Sequence, residues 1–157
     1  MSTSAAYVVR RAGAADAPLI AHHRAAMFRD MGLLAQVDLA PLAAASRAAL
    51  APALASGDYR GWLVECDGVV AAGAGVMLRP LLPQPGDPSG SSEAYVLNVY
   101  TEPAHRQRGL ARRLMEDILA WCRARGVRRI SLHASDDGRP LYLTLGFAPT
   151  NELRREV

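Results

Sequence analysis

Residues 106–111 have the sequence R-Q-R-G-L-A and stand between a strand-like run at 94–101 and a helix-like run that begins at Leu110. The first N–H groups of a helix have no intrahelical acceptor, and the helix dipole favours negative charge there, so a diphosphate can supply the missing acceptors. Gly109 lets the backbone approach such a ligand, and Ala111 keeps the neighbouring side chain small. We interpret residues 107–112 as an anion-binding helix start, hereafter the anion cradle. The alternative is a solvated arginine cluster that opens an amphipathic helix.

The sequence on both sides of the anion cradle has the pattern of a strand, a helix and a second strand. Pro103 separates the first strand from the arginines, apolar residues then recur at helical spacing, and Gly126 ends the helix. The apolar helical positions are Leu110, Leu114, Ile118, Leu119 and Cys122. A strand is predicted at 127–134, and L-Y-L-T-L-G-F follows at 141–147. This context favours the anion-binding interpretation.

The block from residue 93 to residue 148 resembles motifs A and B of the GNAT superfamily of acyl-CoA-dependent N-acyltransferases. Arg106-x-x-Gly109-x-Ala111 matches the first motif, and residues 141–147 match the L-Y-x-x-x-G-F ending of the second. The resemblance implies an α/β (α+β) fold with a mixed central sheet of six to seven strands, splayed between strands four and five and flanked by about four helices. It also implies that acetyl-CoA occupies the resulting cleft.

The N-terminal half is predicted to contribute two helices. Asp16 with Pro18 is a signal for a helix start, and this first helix is expected to continue to about residue 31. A second helix is predicted over about 35–55, and Pro52 should end or kink it.

The remaining strands follow from turn signals and alternation. Asp67-Gly68 between the runs 60–66 and 69–78 predicts an antiparallel hairpin, after a first strand at 7–12. The order of elements, β-α-α-β-β-β-α-β-α-β, fits one GNAT domain over residues 1–157.

Composition limits the classes of function. All 18 basic residues of the 157 are arginine, and the net charge of +3 is too small and too dispersed to indicate nucleic acid. No run of eighteen apolar residues is apparent, and the N-terminus lacks the pattern of a secretory signal, so we expect no membrane span and a cytoplasmic protein. Cys66 and Cys122 lack metal-ligand spacing, so we expect buried free thiols and no metal.

The resemblance also implies how acetyl-CoA is held. The backbone of the fourth strand should pair with the pantetheine arm, the anion cradle should bind the diphosphate, and Arg139 could meet the adenosine 3′-phosphate or remain a surface residue. Ser135 stands where the family often has asparagine, seven residues before a tyrosine. The residues expected to bind the cofactor are Val99, Tyr100, Thr101, Arg106, Gln107, Arg108, Gly109, Leu110, Ala111, Arg112, Ser135, Arg139 and Tyr142.

Three residues are candidates for proton transfer. Tyr142 occupies the family's position for the general acid that protonates the CoA thiolate, although a tyrosine there could serve packing alone. Glu93 is the first candidate for the base that deprotonates the amine, and His133 is the second. A solvated Glu93 that closes the preceding loop is the alternative. Direct transfer is favoured over an acyl-enzyme, because neither cysteine has an adjacent base.

The acceptor is left open by the sequence. A small-molecule or peptide amine fits the family, and Arg24 and Arg29 in the first helix suggest an acceptor that carries a carboxylate. Homodimers are common for this fold. The alternative function is a regulatory module that binds CoA or acyl-CoA but has lost the chemistry.

Overall fold

Five strands form one mixed sheet in the computed structural model, which describes residues 6–35 and 38–157. The strands lie in chain order, antiparallel from β1 to β4, and β5 joins β4 in parallel. Their bounds are β1 Tyr7–Arg11, β2 Tyr59–Cys66, β3 Val69–Pro80, β4 Ser92–Thr101 and β5 Arg129–Leu132. A parallel pair requires a crossover connection, and a helix supplies it between β4 and β5.

Four α-helices in the described part of the chain cover the two faces of the sheet, as predicted. They are α1 Ala17–Asp30, α2 Leu39–Ser56, α3 Leu110–Ala124 and α4 Arg139–Thr144. Successive side chains of β2 point to opposite faces, so Leu63 packs with α1 and α2 while Val64 packs with α3. The larger core lies on the α3 face, where Leu114 and Ile118 are fully buried.

The hairpin predicted at Asp67-Gly68 is confirmed. The two residues have φ values of 51° and 77° between the end of β2 and the start of β3. Positive φ at both central positions is the conformation that a two-residue hairpin turn favours.

The number of strands differs from the prediction of six to seven. In the described part of the chain there are five, because residues 148–157 form no strand after α4 and β5 is shorter than 127–134. Pro149 has no N–H to donate, and the apolar side chains of Leu153 and Val157 are almost fully exposed. A segment with so little apolar surface to bury gains little from joining the sheet.

Pro52 does not end α2, which was one of the two outcomes predicted for this residue. The helix continues to Ser56 and ends at Gly57, which has a φ of 85°. Pro52 is exposed, so the carbonyl that loses its N–H partner can bond water instead.

The sequence was expected to contain no apolar run long enough to span a membrane, but α2 meets the usual criteria of length and hydropathy. Its 18 residues have a mean hydropathy of 1.2, enough by these two measures alone for a membrane-crossing helix. One such helix is only weak evidence for a membrane span, because helices of globular proteins meet the same criteria. In this fold α2 packs on α1 and β2 through Ser46 and Leu50, its two buried residues.

Candidate active site

The sheet opens at the C-terminal end of β4. β4 and β5 pair only between Glu93 and Val96 on one strand and Arg129 and Leu132 on the other. From residue 97 to residue 101, the edge of β4 that faces β5 has no strand partner among the described residues. Unpaired backbone N–H and C=O groups on a strand edge are available to an extended ligand.

A β-bulge lies where this opening begins. Gly73 pairs with Tyr100 and Gly75 pairs with Leu97, so two residues of β4, Asn98 and Val99, face a single residue of β3. Asn98 has a left-handed φ of 57°, which asparagine tolerates better than most residues. A bulge bends a strand and increases its twist, which accounts for the divergence of β4 from β5.

Asn98 joins three elements through its side chain. It is buried; its Oδ1 accepts a 2.8 Å hydrogen bond from Nη1 of Arg24, and its Nδ2 donates a 3.2 Å hydrogen bond to Oη of Tyr59. Burial raises the pKa of Tyr59 to about 12, so its hydroxyl stays protonated at neutral pH. We call Arg24, Tyr59 and Asn98 the Asn98 network.

A glycine in β3 makes room for this network. A Cβ at Gly75 would lie 2.0 Å from Oη of Tyr59. Our sequence reasoning missed the network, although two signals were present: an asparagine inside an apolar strand, and glycines spaced two apart on the strand beside it.

The anion cradle has the backbone that its sequence predicted. Gly109 is the N-cap of α3 with a φ of 74°, and Gln107 is also left-handed with a φ of 59°. The first helical bond runs from the N–H of Arg113 to the carbonyl of Gly109, at 3.1 Å. The amides of residues 107–112 therefore have no backbone acceptor within the part of the chain that the structure describes.

A cavity of about 390 Å³ adjoins these amides. Seven of the residues predicted to bind the cofactor line it, and three further residues were not predicted. The predicted ones are Thr101, Arg106, Gln107, Gly109, Leu110, Ala111 and Arg112; the others are His105, Asp137 and Leu141.

The arginines of this region differ in their partners. Arg106 donates to the carbonyl of Thr101 at 2.9 Å and to Asp30 at 2.7 Å, so its side chain ties the loop to α1. Arg112 donates to Oγ1 of Thr144 at 2.6 Å and thereby links α3 to α4. Arg108 is exposed and forms no ion pair among the described residues. Arg106 is thus better placed to position the cradle than to bind phosphate.

The other predicted cofactor contacts are more dispersed. Val99 packs toward the α3 core, whereas the Tyr100 ring is buried on the opposite face, 5.0 Å from the ring of His23, so only the backbone of Tyr100 lies at the open edge. Ser135 accepts a 3.1 Å hydrogen bond from the N–H of Gly138 at the start of α4. Arg139 is exposed and does not line the cavity.

Tyr142 lies in α4, one residue after the cavity-lining Leu141. Its ring is buried and meets the ring of Phe147 edge-on, with centroids 5.9 Å apart. Burial raises the pKa of Tyr142, which keeps its hydroxyl in the acid form. A Cβ at Gly138 would lie 3.1 Å from the Tyr142 ring, so the glycine permits the close approach of this side chain.

Glu93 is held in an ion pair away from the opening. It is buried, lies 2.9 Å from Nη2 of Arg79 and accepts a hydrogen bond from the hydroxyl of Ser131. Asn98 follows Glu93 by five positions, a distance of roughly 17 Å between backbones at the usual strand rise. The solvated Glu93 that we considered is wrong, because the side chain is buried and paired with Arg79.

His133 lies closer to the opening, directly after Leu132, the last residue of β5 that pairs with β4. Its Nε2 is hydrogen bonded to Arg154 and its Nδ1 to Oη of Tyr95. Because arginine only donates, Nε2 is the acceptor in the contact with Arg154. Both ring nitrogens of His133 are therefore engaged by neighbouring side chains in this arrangement.

A family model and solved structures both relate this chain to GNAT acetyltransferases. The family model of the acetyltransferase (GNAT) family matches residues 29–147. A GCN5-related N-acetyltransferase from Ralstonia eutropha JMP134 is 36% identical, with 97% of this chain and 99% of that chain covered and a TM-score of 0.89. No curated protein matches the sequence.

Two further solved structures carry a coenzyme. A predicted acetyltransferase with acetyl-CoA from Clostridium acetobutylicum is 25% identical, covers 97% of this chain and 96% of its own, and has a TM-score of 0.86. An aminoglycoside N-acetyltransferase in complex with CoA is 18% identical over 100% of this chain and 97% of its own, with a TM-score of 0.72. The second likeness concerns the fold alone.

Proposed function

Because this chain belongs to the GNAT family of acetyltransferases, we propose that it transfers an acetyl group from acetyl-CoA directly to a primary amine. The observation that supports this most is the joining of the anion cradle and the open end of β4 at one cavity, which Thr101 and Gly109 both line. The acceptor is a small molecule or a peptide.

The cradle and the strand edge suit the two ends of acetyl-CoA. Six consecutive amides at a helix start bind a diphosphate through hydrogen bonds and the helix dipole. The open edge of β4 offers backbone groups to the amides of the pantetheine arm. The acetyl-CoA in the C. acetobutylicum structure supports the choice of cofactor.

The β-bulge is the proposed position of the reacting thioester. As the amine attacks, the thioester oxygen gains negative charge, and a fixed backbone N–H aimed at that oxygen stabilises the transition state. Asn98 and Val99 lie opposite a single residue of β3, so the bulge turns backbone groups away from the ladder at this point. The buried side-chain contacts of Asn98 hold that geometry.

Tyr142 is the proposed acid and His133 the proposed base. A tyrosine with a raised pKa keeps its proton until the thiolate of CoA departs. We favour His133 over Glu93, because His133 follows the last paired residue of β5 and Glu93 is engaged by Arg79. A water molecule would carry the proton from the amine.

Direct transfer is also supported by the two cysteines. Cys122 and Cys66 are buried, and burial raises the pKa of each thiol. A thiol with a raised pKa is a poor nucleophile, so an acyl-enzyme on either sulfur is disfavoured.

The proposal is tested by calorimetric titration with acetyl-CoA, CoA and ATP, followed by release of free thiol from acetyl-CoA against pooled amines. We expect acetyl-CoA and CoA to bind, ATP to bind weakly, and at least one pool to release thiol. Tight CoA binding with no thiol release in any pool would instead indicate the regulatory module. Absence of CoA binding would refute both functions.

A further inference from the structure

Arg24 is held at the place where the sheet opens. Its Nη1 donates to Oδ1 of Asn98 at 2.8 Å, and its guanidinium carbon lies 4.8 Å from the centroid of the Phe28 ring. These contacts fix a partly buried guanidinium on the α1 side of the bulge. Arginine has five N–H donors, and the contact with Asn98 uses one of them.

The charge of Arg24 has no counter-ion among the residues that the structure describes. Across residues 6–35 and 38–157, no carboxylate oxygen lies within 4.0 Å of its guanidinium. Its partner Asn98 is neutral, and Tyr59 stays protonated because burial raises its pKa to about 12. A partly buried cation with only neutral partners is unfavourable, and an anionic ligand relieves that cost.

Three other arginines, in contrast, have carboxylate partners. Arg29 lies 3.2 Å from Asp30, Arg106 lies 2.7 Å from the same carboxylate, and Arg79 lies 2.9 Å from Glu93. Arg29 also lines a separate groove between α1 and α2, which neither Arg24 nor Asn98 lines. The structure therefore distinguishes Arg24 from Arg29, which the sequence had grouped together.

We infer that Arg24 binds a carboxylate of the acceptor, so that the acceptors of this chain are amino acids or other amines that carry a carboxylate near the amine. This inference rests on the proposed function, because it names the class of acceptor that the same site takes. A guanidinium and a carboxylate form two parallel charge-assisted hydrogen bonds, which fix orientation as well as position. An acceptor bound in this way presents its amine beside the bulge.

The positive charge of Arg24 has a second consequence for such an acceptor. Pairing with Arg24 neutralises the acceptor's carboxylate, which removes the attraction that holds a proton on the nearby ammonium group in water. The amine therefore reaches its nucleophilic form more readily beside Arg24 than in water. The same residue would bind the acceptor and assist the base.

The test uses matched acceptors, each an α-amino acid paired with its neutral carboxamide. For the wild type, we expect kcat/KM to be about 10- to 100-fold higher for the acid than for the carboxamide, the range of a charge-assisted hydrogen-bonded pair. Arg24→Gln should remove this preference, and Arg24→Lys, which keeps the charge without the planar fork, should restore part of it. Arg29→Gln is the matched control and should keep the full preference.

A second readout separates this inference from the proposed function. The same amino acids and carboxamides are titrated into each protein with CoA bound, and acetyl-CoA affinity confirms that each variant is folded. Arg24-dependent binding of amino acids without turnover of any amine would refute the transferase function and uphold the carboxylate site. Equal binding of acids and carboxamides, no binding of any acid, or a preference that persists in Arg24→Gln would overturn the inference.

Discussion

The anion cradle and the Asn98 network lie close to the same opening in the sheet, but they are built in opposite ways. The cradle is a continuous stretch, residues 107–112, whose working parts are backbone amides at a helix start. The Asn98 network joins three side chains from α1, β2 and β4, with its two hydrogen bonds spanning 74 and 39 positions of sequence. One site depends on local backbone conformation, and the other exists only after the sheet has formed.

This difference separates two kinds of function. The affinity of backbone amides for an anion depends little on the identity of neighbouring side chains, which suits a coenzyme that a whole family shares. A site made of side chains from distant elements changes with each substitution, which suits the choice of acceptor. Substitutions in the two regions should therefore affect different steps.

The largest effect should come from Gly109→Glu. The glycine has a left-handed φ of 74° at the start of α3, and the substitution places both a side chain and a negative charge beside the proposed diphosphate. We expect acetyl-CoA affinity to fall by more than about 100-fold, measured by calorimetry.

Gly126→Glu is the matched control for that loss. Gly126 has a φ of 72° and, like Gly109, no atom within 4 Å of a built Cβ, but it follows the other end of α3. Both variants place a non-glycine residue at a similar left-handed φ, so the backbone strain is similar and only Gly109→Glu should lose affinity for acetyl-CoA. Equal affinities would contradict the assignment of the cradle.

The next largest effect should come from Tyr142→Phe in α4. We expect kcat to fall by about 10- to 100-fold, in keeping with loss of a positioned acid, while acetyl-CoA affinity is unchanged. The raised pKa of Tyr142 also predicts that the wild-type rate does not fall on the alkaline side until above about pH 10, the ordinary value for tyrosine. An unchanged kcat in the variant would remove Tyr142 from the mechanism.

A smaller effect should distinguish His133 from Glu93. His133→Gln should lower kcat/KM by about tenfold and change its pH profile, because the proposed base is lost. Glu93→Gln should leave the pH profile unchanged and instead lower the free energy of unfolding, because Arg79 loses its buried partner. The opposite result would restore Glu93 as the base.

Within the Asn98 network, Asn98→Ala and Asn98→Gly separate conformation from hydrogen bonding. Alanine loses both hydrogen bonds and must also adopt the left-handed φ of 57°, so we expect a loss of about 2–3 kcal/mol in unfolding free energy. Glycine tolerates that φ and should lose about 1 kcal/mol less. Equal losses, measured in urea, would show that backbone conformation contributes nothing at the bulge.

The smallest effect is a pH dependence of stability that arises from His23, which packs beside Tyr100. Burial lowers the pKa of His23 below 6.5, against the opposing effect of Glu102, whose Oε1 lies 3.2 Å from its Nε2. The unfolded chain therefore takes up this proton first as the pH falls. The contribution of neutral His23 to folding stability is present above pH 6.5 and is lost as the pH falls through the pKa of His23 in the folded protein.

We expect the wild type to lose stability from this residue between pH 7 and pH 5. His23→Gln should remove that part of the slope, measured by urea unfolding at several pH values. His22→Gln is the control, since the His22 side chain is 60% exposed, and it should keep the wild-type slope. A steeper slope in His23→Gln would refute the depressed pKa.

Predictions from sequence succeeded where neighbouring residues decide the conformation. The turn at Asp67-Gly68 and the end of α3 before Gly126 depend on a few adjacent residues, and the structure has them as predicted. They failed where a distant segment decides. No local signal in residues 148–157 showed that they stay outside the sheet. The pairing of Glu93 with Arg79 could not be predicted either, because a cross-strand contact depends on the register of the two strands.

The sequence by itself determined the order of strands and helices up to α4, the family and the backbone of the anion cradle, because periodicity, glycine and proline act over a few residues. Only the tertiary structure decided where β4 leaves β5 and which arginines have carboxylate partners. Arg106 meets Asp30 across 76 positions, and Arg24 meets Asn98 across 74. Ion pairs and hydrogen bonds of that span exist only once the chain has folded, so the features that select an acceptor are set by packing.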